Sequence, residues 1–282
     1  NRGIVNPAPR ETILHPGDQT VLTVGFIGDI MNIDDKALGY GEQLMEWASS
    51  CDLMVGNFEA TIHDRKERDG VKWGANQPQA ERIVEDLAEF FDPAKFHLGL
   101  ANNHSGDYPR SIFERSCAML RSAGFPLFGM ADSPSADIAP ELRIVGGTMW
   151  SNQNADDMLW LHKPREAGQY KRNGALNILY PHWGYELEAW PRPIIVRQAH
   201  EFADQYDAVI GHHAHNPQPL EMRGGVPIFY GLGDFCFYYD LPTYRYGTIC
   251  RLEIGRPSPD APARIRSVAC EPIENRHADK QI

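Results

Sequence analysis

The run VLTVGFIGD, residues 21–29, is almost unbroken apolar sequence that stops at a glycine and an aspartate. A strand with one wet face would alternate. A run without alternation suits a strand covered on both faces, as in parallel sheets. The same pattern recurs. Leu53-Met54-Val55 stops at Gly56-Asn57, and FHLGLA (96–101) at Asn102-Asn103-His104. FPLFG (125–129) ends in glycine, ALNILY (175–180) runs into His182, and DAVIG (207–211) into His212-His213-Ala214-His215. Between them lie stretches of helical character: 35–49, 79–91 with Ile83 and Leu87 at helical spacing, 111–124 closed by Gly124, and 194–205. This alternation predicts an α/β protein with a parallel sheet and helices on its faces. Residues 1–20 read as an extended lead-in and the polar, aperiodic 151–173 as a long loop. From 226 onward, VPIFYGLGDFCFYY, GTICRLEI (247–254) and ARIRSVAC (263–270) read as antiparallel strands. No repeat or linker interrupts the chain, so one domain is expected over 1–282.

Of the 282 residues 42% are hydrophobic and 23% charged, which supports a sizeable core. The formal net charge is −11 and no stretch concentrates Lys and Arg, which argues against nucleic acid as a partner. An extended polyanion would also be repelled unless a basic pocket or bound cations offset the field. No apolar run approaches the roughly 18 residues of a bilayer span. The start, NRGIVNPAPRETILHPGDQ, has no apolar signal core, although beginning at Asn1 leaves room for a segment upstream. Cys51, Cys117, Cys236, Cys250 and Cys270 are scattered without a CxxC and read as free thiols. That leans towards a cytoplasmic location, or an extracytoplasmic one if an anchor preceded Asn1.

In parallel α/β sheets the functional crevice lies at the carboxyl ends of the strands. Here those ends carry Asp29; Asn57 with Glu59; Asn103 with His104; His182; and His213 with His215. This nitrogen and oxygen donor set, without thiolate, suits one or two Mn, Fe or Zn ions that activate water, with a free histidine protonating a leaving group. Each residue also has a plainer reading. Asp29 could cap a helix, Asn57 and Asn103 could be turn residues, and His182 could be packed between Pro181 and Trp183. His213 and His215 would share a face if the strand continues through them. Asp107 either fixes the His104 ring or caps a helix. Trp73, Trp150, Trp160, Trp183 and Trp190 either pack in the core or line a substrate groove.

The segments GFIGDIMN (25–32), DLMVGNFEATI (52–62), LGLANNHSGDY (98–108), LYPHWGYELEAWP (179–191), DAVIGHHAHNPQPLE (207–221) and IFYGLGDFCF (228–237) resemble, in this order, the CapA family. That family is named for poly-γ-glutamate capsule synthesis and shares the calcineurin-like metallophosphatase fold. The resemblance covers about 25–240 and implies a four-layer α/β/β/α sandwich. It implies that Asp29, Asn103, His182, His213 and His215 are metal ligands and that His104 is the catalytic histidine. Two positions depart from the superfamily. Met31 stands where the Asp-x-His ligand is usual, and Asn57 where a carboxylate bridges two metals. Glu59 is expected to stand in for that carboxylate beside Asn57, and Asp234 replaces a usual asparagine. Asp29 and Glu59 return only half the charge of two divalent cations, so one ion, or none, is as open as two. The expected activity is metal-dependent hydrolysis of a phosphoester or of a γ-glutamyl, capsule-type polymer, with His104, Asp29 and His213 as catalytic groups. The substrate would be a small molecule, a peptide or polyglutamate. The alternatives are metal-independent epimerisation at a peptide Cα by Asp29 and His213 or His215 as acid and base, and a non-catalytic capsule-biosynthesis binding protein.

Overall fold

A computed structural model describes residues 11–34, 36–63, 76–153, 157–161, 164–239 and 241–276. The strands of the first half are β1 (Glu11–Ile13), β2 (Gln19–Ile30), β3 (Leu53–Phe58), β4 (Thr61–Ile62), β5 (Pro78–Gln79), β6 (Phe96–Gly99) and β7 (Leu127–Phe128). The second half adds β8 (Ser135–Ala139), β9 (Leu142–Thr148), β10 (Leu176–His182), β11 (Ala208–Ile210), β12 (Leu220–Arg223), β13 (Val226–Phe229), β14 (Asp234–Cys236), β15 (Tyr246–Arg256) and β16 (Arg264–Glu274). The helices are α1 (Glu42–Ser49), α2 (Arg82–Phe90), α3 (Arg110–Ser122), α4 (Pro164–Ala167) and α5 (Pro193–Ala203). An eight-stranded sheet runs β1-β16-β15-β2-β3-β6-β7, with β14 beside β2. A six-stranded sheet runs β12-β13-β11-β10-β9-β8. Their centres, β2-β3-β6-β7 and β9-β10-β11-β13, are parallel.

The unbroken apolar runs explain the layers. Val24, Phe26, Val55, Ile144, Ile178, Tyr180 and Ile210 pack between the two sheets. One residue along, Val145, Leu179 and Val209 face the opposite way and pack on Ile195, Ala199 and Phe202 of α5. On the far side, Met54 and Phe96 pack with Trp47 of α1, Leu87 of α2 and Leu120 of α3. Strands covered on both faces thus give three apolar layers and the expected α/β/β/α sandwich.

Several expectations need correction. The helix expected over 35–49 is only α1. Gly39 and Gly41 disfavour a helix before it, and the Leu38 N–H donates to the Asp86 carboxylate at 3.0 Å instead of to a preceding turn. The long loop of 151–173 contains α4 and a 3₁₀ turn over Gly168–Tyr170. Residues 226–236 are not simply antiparallel, because β13 lies parallel to β11 and β14 parallel to β2. The hairpin of β15 and β16 is antiparallel as expected. Strands β8 and β9 escaped the sequence pattern because Gly146-Gly147 interrupts the apolar run. Those glycines admit a close approach: a Cβ on Gly147 would lie 2.5 Å from Leu161. Residues 11–13 of the lead-in form a strand; residues 1–10, Trp73 and most of the 63–78 loop lie outside the described residues. Among the described residues no helix is long and apolar enough to cross a membrane.

Gly28 sits where β2 shifts register against β3, and a Cβ there would lie 1.8 Å from the Gly233 carbonyl oxygen. Gly17 meets nothing within 4 Å. Gly28→Ala should therefore lose about 3 kcal/mol or more of stability in urea unfolding, whereas Gly17→Ala should stay within about 0.5 kcal/mol of the parent. An unchanged midpoint for Gly28→Ala would contradict the close approach.

Candidate metal centre

The two parallel sheet centres present their carboxyl ends to the same place. Asp29, at the end of β2, is fully buried and organises it. Its Oδ1 accepts from Asn57 Nδ2 at 2.7 Å and lies 3.1 Å from His212 Nδ1. Its Oδ2 accepts from the His213 backbone N–H at 2.9 Å and lies 3.6 Å from His215 Nδ1. One carboxylate of the first sheet therefore ties down the histidine turn of the second. Burial alone would raise its pKa, but the bonds from His212 and Asn57 and the surrounding imidazoles hold it well below the usual carboxylate range.

Glu59 enters just past β3 and is the most exceptional group in the cluster. Its Oε1 is buried without a hydrogen-bond partner. Around that oxygen stand His182 Nε2 at 3.7 Å, His215 Nε2 at 3.8 Å and His104 Nε2 at 3.9 Å. Three imidazole nitrogens face one carboxylate oxygen, each too distant to bond it. Burial and the negative charges of Asp29 and Asp234 push the Glu59 carboxyl well above its ordinary value. An acid held in this way is costly unless something positive joins it. The residues fit a cation by this test, and Glu59 belongs to both donor groups Glu59/His182/His213 and Asp29/Glu59/His215.

Asn57, expected among the ligands, does something else. Its Nδ2 faces Asp29 and, at 3.4 Å, Glu59, while its Oδ1 accepts from Asn102 Nδ2 at 3.3 Å. It is a neutral donor set between two acids, and its oxygen is taken. Asn103 Oδ1 lies 2.7 Å from His182 Nε2, with Asn103 Nδ2 unpartnered. His104 turns Nδ1 to Asp107 Oδ2 at 2.7 Å, so Asp107 orients the ring rather than capping α3. His182 and His213 are held well below the usual histidine value by burial and neighbouring imidazoles, which keeps them in the neutral form that binds metals. His215 goes the other way, to about 9: burial opposes its charge, but Asp234 at 2.7 Å and Asp29 overcome it.

His213 and His215 do not continue a strand. β11 ends at Ile210, and the two residues adopt left-handed φ of 91° and 54°. That costs on the order of 1–3 kcal/mol each, the kind of strain found at functional sites. Their rings still converge, with centroids 5.9 Å apart, because the chain curls around the site. Sequence reasoning missed three contributors. His212 pairs with His182 in register, and their Nδ1 atoms are 2.8 Å apart. The signal was the β10–β11 offset, which the sequence alone does not give. Asn102 ties the Asn103-His104 turn to the Phe58 carbonyl at 2.9 Å. Glu186 offers a ligand atom within 4.8 Å of those of His213 and His215.

Aromatic rings flank the cluster. Trp150 lies 6.3 Å from the His213 ring and packs on Tyr185, and Tyr244 lies 5.8 Å from the His215 ring. Of the tryptophans considered for a groove, Trp183 is core, packed between Phe202 and Tyr230, and Trp160 packs against the first-sheet core. Trp190 is exposed.

Asn57→Asp would put a further acid 2.7 Å from Asp29. In chelator this variant should lose about 3 kcal/mol, and added Mn²⁺ should restore most of the loss, as read by thermal unfolding. Equal stability with and without Mn²⁺ would speak against a cation between these groups.

The family model of bacterial capsule synthesis protein PGA_cap matches residues 23–151 and 163–239. A probable polyglutamine synthesis accessory protein of Mycobacterium tuberculosis is 26% identical over 222 residues, 68% of this chain and 57% of its own length. The PGA biosynthesis protein CapA of Bacillus subtilis is 25% identical over 256 residues, 77% of this chain and 63% of its own. The chain thus spans less than two thirds of the length of these curated relatives. Among solved structures, a phosphatase from Mycoplasma pneumoniae superposes with a TM-score of 0.55 at 13% identity, covering 93% of this chain and 96% of that one. A calcineurin-like phosphoesterase from Bacillus subtilis gives 0.52 at 14% identity, covering 90% of each chain. Such structural likeness establishes the metallophosphatase fold, and the family match covers most of the strand ends that build the centre. The chain belongs to the PGA_cap family of bacterial capsule synthesis proteins.

Proposed function

We propose that the protein is a metal-dependent hydrolase of the metallophosphatase type, acting on a phosphoester or on an acyl bond of a γ-glutamyl, capsule-type polymer. The observation that carries this reading is the unpartnered Glu59 Oε1 facing three imidazole nitrogens. Asp29, Glu59, Asn103, His182, His213 and His215 would hold one or two ions. Their nitrogen and oxygen donors suit Mn, Fe or Zn. When bound, such an ion polarises the scissile group and lowers the pKa of water.

The chain's own residues supply the rest. Asp107 accepts from His104 Nδ1, which turns Nε2 towards Glu59. In its imidazolium form the ring could hand the Nε2 proton to a departing oxygen and return to the neutral Nδ1–H tautomer. Asp29 fixes the His213 turn, and Asn57 keeps the two acids together without adding charge. Trp150 and Tyr244 stand beside His213 and His215, where they would shield a bound substrate from water. The polymer assignment comes from the names of the relatives and remains an analogy at the level of the family.

Proton exchange at a peptide Cα between Asp29 and His213 has less behind it. Both Asp29 oxygens are already bonded, and its carboxyl is held well below the range useful for proton transfer.

Protein purified without chelator should carry about one or two Mn, Fe or Zn ions per chain by elemental analysis. Chelation should abolish hydrolysis of bis-p-nitrophenyl phosphate or shortening of poly-γ-glutamate. His104→Ala should lower kcat by about 10²–10⁴ while leaving metal content intact. Full activity in metal-free protein would overturn the reading. An unchanged rate for His104→Ala would remove His104 from the mechanism, and no hydrolysis by metal-loaded protein would favour a binding role instead.

A further inference from the structure

Glu186 was not among the residues expected at the centre, yet the fold holds it there. It lies on the loop after β10, and its carboxylate, His213 and His215 each offer a ligand atom within 4.8 Å of the others. The two histidines are buried and Glu186 is exposed, so the group sits at the mouth. The loop is pinned despite that exposure. The Leu187 N–H donates to the Ala214 carbonyl at 2.8 Å, directly between the two histidines in sequence. Trp150 Nε1 donates to the Gly184 carbonyl at 2.6 Å, and Gln218 Nε2 to the Glu188 carbonyl at 2.7 Å. Gly184 and Leu187 adopt left-handed φ of 88° and 62°, so the segment bends sharply around Glu186.

A second observation points to a ligand. His213 Nδ1 is buried and has no hydrogen-bond partner, in a residue only 4% exposed. An imidazole with an idle buried nitrogen, in a group whose ligand atoms lie within 4.8 Å of one another and include a carboxylate, suits a cation. The negative charge of Glu186 also reaches His215, Asp234 and Glu59.

We propose that Glu186 joins His213 and His215 in a cation site at the mouth, adjoining an inner site on Glu59, Asn103 and His182. Two imidazoles and one carboxylate make the donor set of an open catalytic zinc site, so the ligand is a Zn²⁺-like divalent ion with one position free for water or substrate. Glu186 adds an acid to balance a second cation. This rests on the metal-dependent reading above, and the test separates the two.

Metal-free protein is titrated with Zn²⁺ by calorimetry and with Co²⁺ by visible absorption and tryptophan quenching, Trp150 lying 6.3 Å from the His213 ring. The parent chain should take up about two equivalents. Glu186→Gln should keep the tighter one and weaken the other at least about tenfold, losing the quenching phase that Trp150→Phe also removes. Glu188→Gln, at a half-buried acid tied to Arg192 in the same loop, should leave both equivalents unchanged. Two unaltered equivalents in Glu186→Gln, equal weakening in Glu188→Gln, or a single equivalent in the parent would overturn the mouth site alone. No uptake by the parent would overturn the hydrolase reading as well.

Discussion

A single buried carboxylate joins the two halves of this molecule at the place where chemistry can occur. Asp29 ends the central strand of one sheet and receives bonds from Asn57 in its own sheet and from the backbone of His213 in the other. A buried carboxylate is costly unless its oxygens are answered, and both oxygens of Asp29 are. The histidine turn answers by adopting left-handed backbone at His213 and His215. The strain of that turn and the ionisation of Asp29 are therefore two sides of one constraint, and both bring imidazole nitrogens to the same rim.

The departures from the general metallophosphatase pattern are compensated from nearby positions. Asn57, which stands where the family resemblance implies a bridging carboxylate, links Asp29 and Glu59 through its amide hydrogens. Glu59, two residues on, brings the displaced charge to the middle of the donor groups. Asp234 arrives through β14, which pairs alongside β2, and anchors His215. Acids thus reach the centre from β2, from the residue after β3 and from β14. This explains how the rim keeps its donors although Met31 gives none.

The surroundings bear on what the centre accepts. Trp150, Tyr185 and Tyr244 stand at its edge, and Arg192 stacks on Tyr185 at 3.6 Å while paired to Glu188. With a net charge of −11, a polyanionic chain gains little from the surface at large. Under the proposed reading, cations held at the centre would be the point of attraction for such a chain.

Much of the architecture was legible in the sequence because burial on both faces leaves a direct mark. VLTVGFI, ALNILY and DAVIG carry no polar alternation, and polar residues gather where each run stops. Asp29, Asn103, His104, His182, His213 and His215 could be chosen on that ground with the help of family resemblance, and the fold brings them together. What the sequence could not hold was register and backbone turn. Alternation along a continuing strand would have aligned His213 with His215, but positive φ angles do so instead. His212 meets His182 because β10 and β11 pair with a particular offset, and Glu186 reaches the mouth because Leu187 bonds to Ala214. Local composition determined which residues lie at strand ends. Hydrogen bonds between segments distant along the chain decided which atoms face one another, since such bonds depend on three-dimensional closure and leave no local trace.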